Sequence, residues 1–266
     1  MQIRDWIKPF VVSAGLIFSS ALMALTADDI TYVSEDYPPF NYRDNDAPKG
    51  FAVDLLDAML HAMSSKKTKQ DVRFHPWARG YYMALNTPGT VLFSTTRSAA
   101  RESLFKWVGP IAANTNEVLA RKDRHIKINN TLDLLKYRIA VVRDDIGETM
   151  IINAGIPANN RETLTYPELA AKMLDTGRID LWCYGQPSAL WVIKNLGLNT
   201  QAFESVYNLG SAGEVYYAFH RDTPDTLIQQ FQTVLDQLKQ PGREGEPSAY
   251  TKILQRYTVS SPINQQ

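Results

Sequence analysis

The chain has 266 residues, of which 44% are apolar, and its 28 basic and 28 acidic side chains leave no net charge. That length holds one large domain or two lobes with separate cores, and the neutral balance excludes an overall field drawing it to nucleic acid or an anionic membrane. Cys183 is the only cysteine, which excludes an internal disulfide and a stapled scaffold.

Arg4 and Lys8 precede an apolar run over 10–25, interrupted by Ser13, Ser19 and Ser20 and followed by Ala27, Asp28 and Asp29. A basic start, a short apolar run and small residues before a polar stretch predict a signal peptide over 1–27, cleaved after Ala27. The run is shorter than the ~20 residues of a spanning helix. No cysteine stands there to carry a lipid, so the expected product is a soluble protein of a Gram-negative periplasm.

Residues 30–34 (ITYVS) read as a strand, followed by a turn-rich loop, EDYPPFNYRDNDAPKG. Over 51–63, Val53, Leu55, Leu56, Met59, Leu60 and Met63 recur with a helix period. A strand over 72–75, a helix over 77–86 and a strand over 91–93 come next. The stretch 94–103 then holds five hydroxyl side chains and two arginines. Arginine's planar fork fits a carboxylate bidentately, and hydroxyls and free N–H groups after a strand complete an anion site. The bland reading is a polar surface loop.

Farther on, 117–120 reads as a strand, 131–135 as a short helix and 138–142 (RIAVV) as a buried strand. Asp145 and Glu148 resemble a capping box opening a helix to about 153. A strand over 163–165 and a helix over 167–175 with Pro167 in its first turn follow, then a strand over 181–184 (LWCY) and a helix over 188–195. The chain ends with a strand over 215–220, a helix from Thr223-Pro224-Asp225 to 239 and a helix over 248–255. This alternation predicts an α/β fold with mostly parallel sheets.

Common catalytic signatures are missing: no G-x-S-x-G, no GK[ST] and no H-E-x-x-H. His61, His75, His125 and His220 lack ligand spacing, so no metal and no cofactor is expected. The S-x-x-K match at 64–67 falls in a polar helix end.

The strings SEDYPPFNY, GFAVDLLDAM and STTRSAARESLFKWVGPI, in this order, resemble the family 3 extracellular solute-binding proteins, periplasmic receptors of polar amino-acid ABC importers. The resemblance runs from about residue 30 to 257 and includes YYAFHRDTPD. It implies a two-lobed, type II periplasmic-binding-protein-like α/β fold. Lobe 1 would hold 28–110 and 216–266, and lobe 2 with its flanking crossovers 111–215. Gly109-Pro110, Gly210 and Gly213 are the expected pivots.

The resemblance also implies site residues. Arg101 takes the ligand carboxylate and Thr96 adds a hydroxyl and a backbone contact. Tyr37, Trp77 and Phe40 form aromatic walls. Free N–H groups near Gly147, at a helix start, meet the anion from lobe 2. One departure matters. The family holds the ligand ammonium with a lobe 2 aspartate, where this chain has Gly185, and the first-strand acidic position is Ser34. An unpartnered buried ammonium is strongly unfavourable, so either Glu35 or Asp36 turns inward or the ligand lacks an α-ammonium. The competing readings are plain ones: Tyr37, Phe40 and Trp77 as core, Arg101 paired with Glu102 on the surface, Arg97 and Arg79 solvated, Glu148 as a helix cap, and Cys183 as a small buried hydrophobe.

The expected function is therefore binding without catalysis: a monomer that takes up a small carboxylate-bearing solute and delivers it to an ABC importer. The alternatives are a periplasmic enzyme of the cyclohexadienyl dehydratase type, with Glu35 as its acid or base, and a ligand-sensing partner of a signalling protein.

Overall fold

The computed structural model describes residues 25–258. The expected leader lies outside them up to residue 24. Ala27 itself begins a 3-10 turn, Ala27–Asp29, whose start is tied by Thr26 N and Oγ1 donating to the Asp29 carboxylate at 2.9 and 2.7 Å.

Ten strands and seven longer helices alternate among the described residues. In chain order they are β1 (Thr31–Ser34), β2 (Tyr42–Asp44), β3 (Ala47–Lys49), α1 (Phe51–Ala62), β4 (Arg73–Phe74), α2 (Trp77–Asn86), β5 (Thr90–Thr96) and β6 (Phe105–Arg121). Then come β7 (Ile139–Val142), α3 (Ile146–Asn153), β8 (Arg161–Leu164), α4 (Pro167–Asp175), β9 (Leu181–Tyr184), α5 (Gln186–Asn195), β10 (Phe203–His220), α6 (Asp225–Lys239) and α7 (Ala249–Thr258).

One sheet of eight strands runs in the order β4-β1-β5-β10-β6-β9-β7-β8. Its two centre strands, β6 and β10, pair antiparallel from end to end, Phe203 opposite Arg121 and His220 opposite Phe105. They cross from one lobe to the other: β4, β1 and β5 flank them in lobe 1, and β9, β7 and β8 in lobe 2. The pairings β1–β4, β1–β5, β7–β8 and β7–β9 are parallel, whereas β5–β10, β6–β10 and β6–β9 are antiparallel. The expectation of mostly parallel sheets thus holds on the flanks and fails at the centre.

The strands expected over 117–120 and 215–220 are the ends of far longer ones. Residues 204–214 of β10 are half-buried or exposed, and ladder hydrogen bonds to β6 rather than an apolar face hold that stretch. The turn-rich loop contains the hairpin β2–β3. Its two-residue turn, Asn45-Asp46, has φ of 50° and 62°, the left-handed pair of a type I′ turn.

Each lobe has its own core. In lobe 1, α1 lays Leu55, Leu56, Met59 and Leu60 against Phe93, Tyr217, Phe219 and Phe231. In lobe 2, Val118, Ile139, Val141, Ile151 and Cys183 form another. A third cluster joins the lobes, running from Val33, Trp77 and Leu92 to Trp182, Tyr184 and Val192. Cys183 is fully buried, as a small hydrophobe, and burial pushes its thiol far up.

The crossover glycines differ in kind. Gly210 and Gly213, at φ of 92° and 102°, sit where the β6–β10 register slips, conformations that favour glycine. Gly109 instead is pinned to α6: Gln232 accepts from its N–H at 2.9 Å and donates to its carbonyl at 3.0 Å. Lys239 Nζ holds the Pro110 carbonyl at 2.7 Å.

Candidate functional site

Parallel strands bring their carboxyl ends to one edge, the edge where open α/β sheets bind ligands. β1 ends at Ser34 next to Glu35, β5 at Thr96, β7 just before Asp145, and β9 at Tyr184 next to Gly185. These ends face one another across the cleft between the lobes.

Arg101 leaves a turn closed by its own N–H on the Ser98 carbonyl at 2.9 Å. Its side chain folds back into the protein and is 5% exposed. Nη1 donates to the Thr96 carbonyl at 3.2 Å and Nη2 to the Asp144 carbonyl at 2.6 Å, one contact on each lobe. The guanidinium carbon lies 5.6 Å from the Trp77 ring centre and 5.2 Å from that of Tyr81. The surface pair with Glu102 belongs instead to Arg97, at 2.8 and 2.5 Å.

Thr96 Oγ1 accepts from Asn114 Nδ2 at 3.2 Å, and Asn114 Oδ1 accepts from the Tyr37 hydroxyl at 3.1 Å. Asn114, buried on β6, thereby joins two of the expected site residues; only its polarity in a crossover marked it in the sequence. Tyr37 opens a tight loop in which its N–H donates to the Asn41 carbonyl at 2.6 Å. Its ring stacks on Phe40 at 5.7 Å and meets Tyr184 edge-on at 5.4 Å. Phe40 is half-buried behind Tyr37 and also packs on the lobe 1 core. Trp77 is buried and stacks on Tyr81 at 5.8 Å.

Of the two adjacent acids, Glu35 turns inward and Asp36 outward. Asp36 accepts from Arg43 Nη2 at 2.6 Å and from Arg43 N at 2.8 Å. Glu35 is 8% exposed, and its carboxyl makes no hydrogen bond among the described residues. Burial pushes that carboxyl well above the usual range, and the neighbouring Asp145, Asp36 and Glu168 carboxylates push the same way.

The start of α3 departs from expectation. Asp145 makes no side-chain cap. Glu148 accepts from Asp144 N at 2.7 Å and from Thr163 Oγ1 at 2.9 Å, one residue off the expected capping box. Burial raises the Asp145 carboxyl against the pull of Arg101 and the Ile146 and Gly147 N–H groups. Gly147 does not offer a free N–H: it donates to the Asn116 amide oxygen at 3.1 Å, with that amide turned to face it. Lobe 2 therefore presents a carboxyl where an anion-binding turn was expected.

Lobe 2 also closes on the Tyr37 loop. Ser188 Oγ, early in α5, donates to the Pro38 carbonyl at 2.5 Å, and Tyr42 lies 6.0 Å from Trp191. A methyl group on Gly185 would stand 2.5 Å from the Tyr37 hydroxyl oxygen. Among the described residues Ser34 Oγ, Trp77 Nε1, Ser94 Oγ and the Tyr184 hydroxyl are buried without partners. Each such group costs about 1–3 kcal/mol.

The chain has no match among curated proteins. Among solved structures it is similar to a histidine kinase sensor domain with similarity to periplasmic binding proteins, at TM-score 0.73 and 21% identity over 86% of this chain and 95% of that one. An ancestral arginine-binding protein bound to arginine superposes at TM-score 0.68 and 20% identity, covering 85% and 96%. The ancestral amino acid-binding protein AncCDT-1, a precursor of cyclohexadienyl dehydratase, gives 0.67 and 20%, covering 86% and 94%. At such identities these likenesses establish the shared two-lobed periplasmic binding protein fold. The model of the bacterial extracellular solute-binding proteins, family 3, matches residues 30–258, and the chain belongs to that family.

Proposed function

We propose that the chain binds a small carboxylate-bearing solute, an amino acid or a related compound, between lobe 1 (28–110 and 216–266) and lobe 2 (111–215). It works in the periplasm after losing a leader over 1–27, as a monomer, and hands the solute to an ABC importer. The observation that carries this reading is Arg101, a buried guanidinium that is in no ion pair among the described residues and contacts a carbonyl of each lobe. Two of its five N–H donors are used there, which leaves a fork for a carboxylate. A ligand held on Arg101 and Thr96 and touched by both lobes favours the closed form through contacts the open form lacks.

Calorimetry against a panel of amino acids and simple carboxylates tests this. Arg101→Ala is expected to weaken binding by about 2–5 kcal/mol, the range for truncating one partner of a desolvated charge pair, while Arg97→Ala changes little. Equal effects of the two changes refute the assignment. One observation favours a second reading, an enzyme on this fold: the Glu35 carboxyl is held protonated well above its usual range, as an acid catalyst would be. Sustained heat after saturation would mark turnover and support it.

A further inference from the structure

We infer that the cleft selects a solute of net positive charge, a basic amino acid, whose cationic group lies between Glu35 of lobe 1 and Asp145 of lobe 2. This rests on the reading that the solute binds between the lobes, and it names the chemical class that site takes. The two carboxyls come from the ends of different parallel strands and approach each other only because the lobes meet. Asp145, Asp36 and Glu168 act on Glu35, all of them acidic. Arg101 and Glu148 act on Asp145. Arg101 is the basic group that acts on Asp145, and a ligand carboxylate held on Arg101 offsets that charge.

Two further observations point to a cation as the group this site takes. Glu35 is more than nine-tenths buried, yet its carboxyl has no hydrogen-bond partner among the described residues. The Tyr184 hydroxyl, 1% exposed and also unpartnered, lies in the field of both carboxyls. An ammonium or guanidinium brings several donors, enough for both acids and the phenol oxygen. The walls suit it as well: Tyr37 stacked on Phe40, and Tyr184 stacked on Trp182 at 5.1 Å, offer ring faces that attract a cation.

Binding of such a cation lets the two carboxyls ionise, so it releases protons and strengthens as pH rises through their raised values. The other titratable groups facing them are the Tyr37 and Tyr184 phenols and the Cys183 thiol. All three are pushed upward by burial and stay protonated at neutral pH.

The test uses the mature chain with arginine, lysine, glutamine, glutamate and putrescine as probes, by calorimetry in buffers of different ionisation heat. The expected result is binding of arginine or lysine, proton release, and binding that tightens as pH is raised. Glu35→Gln and Asp145→Asn are each expected to weaken it about tenfold or more and to flatten the pH dependence; Arg101→Ala weakens it and leaves the pH dependence in place. Glutamine or glutamate binding more tightly than both basic amino acids overturns the inference and leaves the carboxylate reading standing. Putrescine binding without lysine or arginine upholds the cation site and overturns the carboxylate reading. No binding by any of the five overturns the assigned class.

Discussion

Gly185→Ala is the sharpest probe of how the lobes meet. The backbone at Gly185 has φ −63°, open to any residue, so the whole effect comes from space. The added methyl would stand 2.5 Å from the Tyr37 hydroxyl oxygen and 3.2 Å from the ring carbon bearing it. The first distance is far inside contact, and the second is tight. Tyr37 has little freedom to yield, because its hydroxyl donates to Asn114 and its ring edge is set against Tyr184. If the phenol moves, the buried bond to Asn114 is lost; if the lobes part, the bond from Ser188 to the Pro38 carbonyl goes instead. Either route removes about 1–3 kcal/mol from the closed form, a shift of roughly 5–150-fold in its population. Ligand affinity falls by the same factor, since only the closed fraction gains the lobe 2 contacts. Small-angle scattering should show a larger radius for the variant with ligand present, and calorimetry a weaker affinity. Tyr37→Phe removes the oxygen along with its bond to Asn114, so Gly185→Ala should cost less when added to Tyr37→Phe than when added to the parent. A Gly185→Ala protein that binds and scatters like the parent, or a Gly185→Ala change that costs as much in the Tyr37→Phe background, refutes this account of the closure.

The Glu35 carboxyl gives a pH prediction for the ligand-free protein. Its folded value lies above the ordinary 4.5, so between the two values the folded chain keeps a proton the unfolded chain has shed, and stability falls as pH rises. Glu35→Gln should therefore raise the melting temperature at neutral pH and do little near pH 4; an equal change at both, or none at neutral pH, counts against the buried carboxyl. Export is checked by intact mass of a periplasmic extract, which should show a chain starting at or near Asp28, and recovery of the full chain in the membrane fraction would contradict the leader.

Short motifs made part of the site legible. The hydroxyl-rich stretch suggested an arginine for a carboxylate and the family resemblance chose Arg101; Arg101 is the buried one of the two, while Arg97 lies outside with Glu102. The choice between Glu35 and Asp36 was not legible. It depends on Arg43, which claims Asp36 from the far side of the Tyr37 loop. Asp145 was hidden by a rule that usually works: a capping box assigns that carboxylate to the helix, but Glu148 slips one residue to Asp144, and Asp145 is left facing Arg101. The length of β10 was obscured because residues 204–214 bury little, and that of β6 because Gly109-Pro110 reads as a break. Here the strand continues across it at a register slip, with α6 taking up the freed carbonyl groups.

The centre strands also set the order in which this chain can fold. β5 ends lobe 1's first segment, yet its neighbour on the inner side is β10, with Thr96 opposite Val215. All of lobe 2 lies between those two residues along the chain. Lobe 2's own strands are nearly contiguous, but its join to β6 and β10 also waits for the return through Phe203–His220. Until that return is made, β5 and β6 are bare edges and α6 and α7 are missing from the larger core. Closing so long a loop is slow, since its entropy is lost before the pairing is gained. A chain emerging from the ribosome therefore stays incompletely folded until its last strand appears, and an incompletely folded polypeptide can be threaded through a narrow translocation channel.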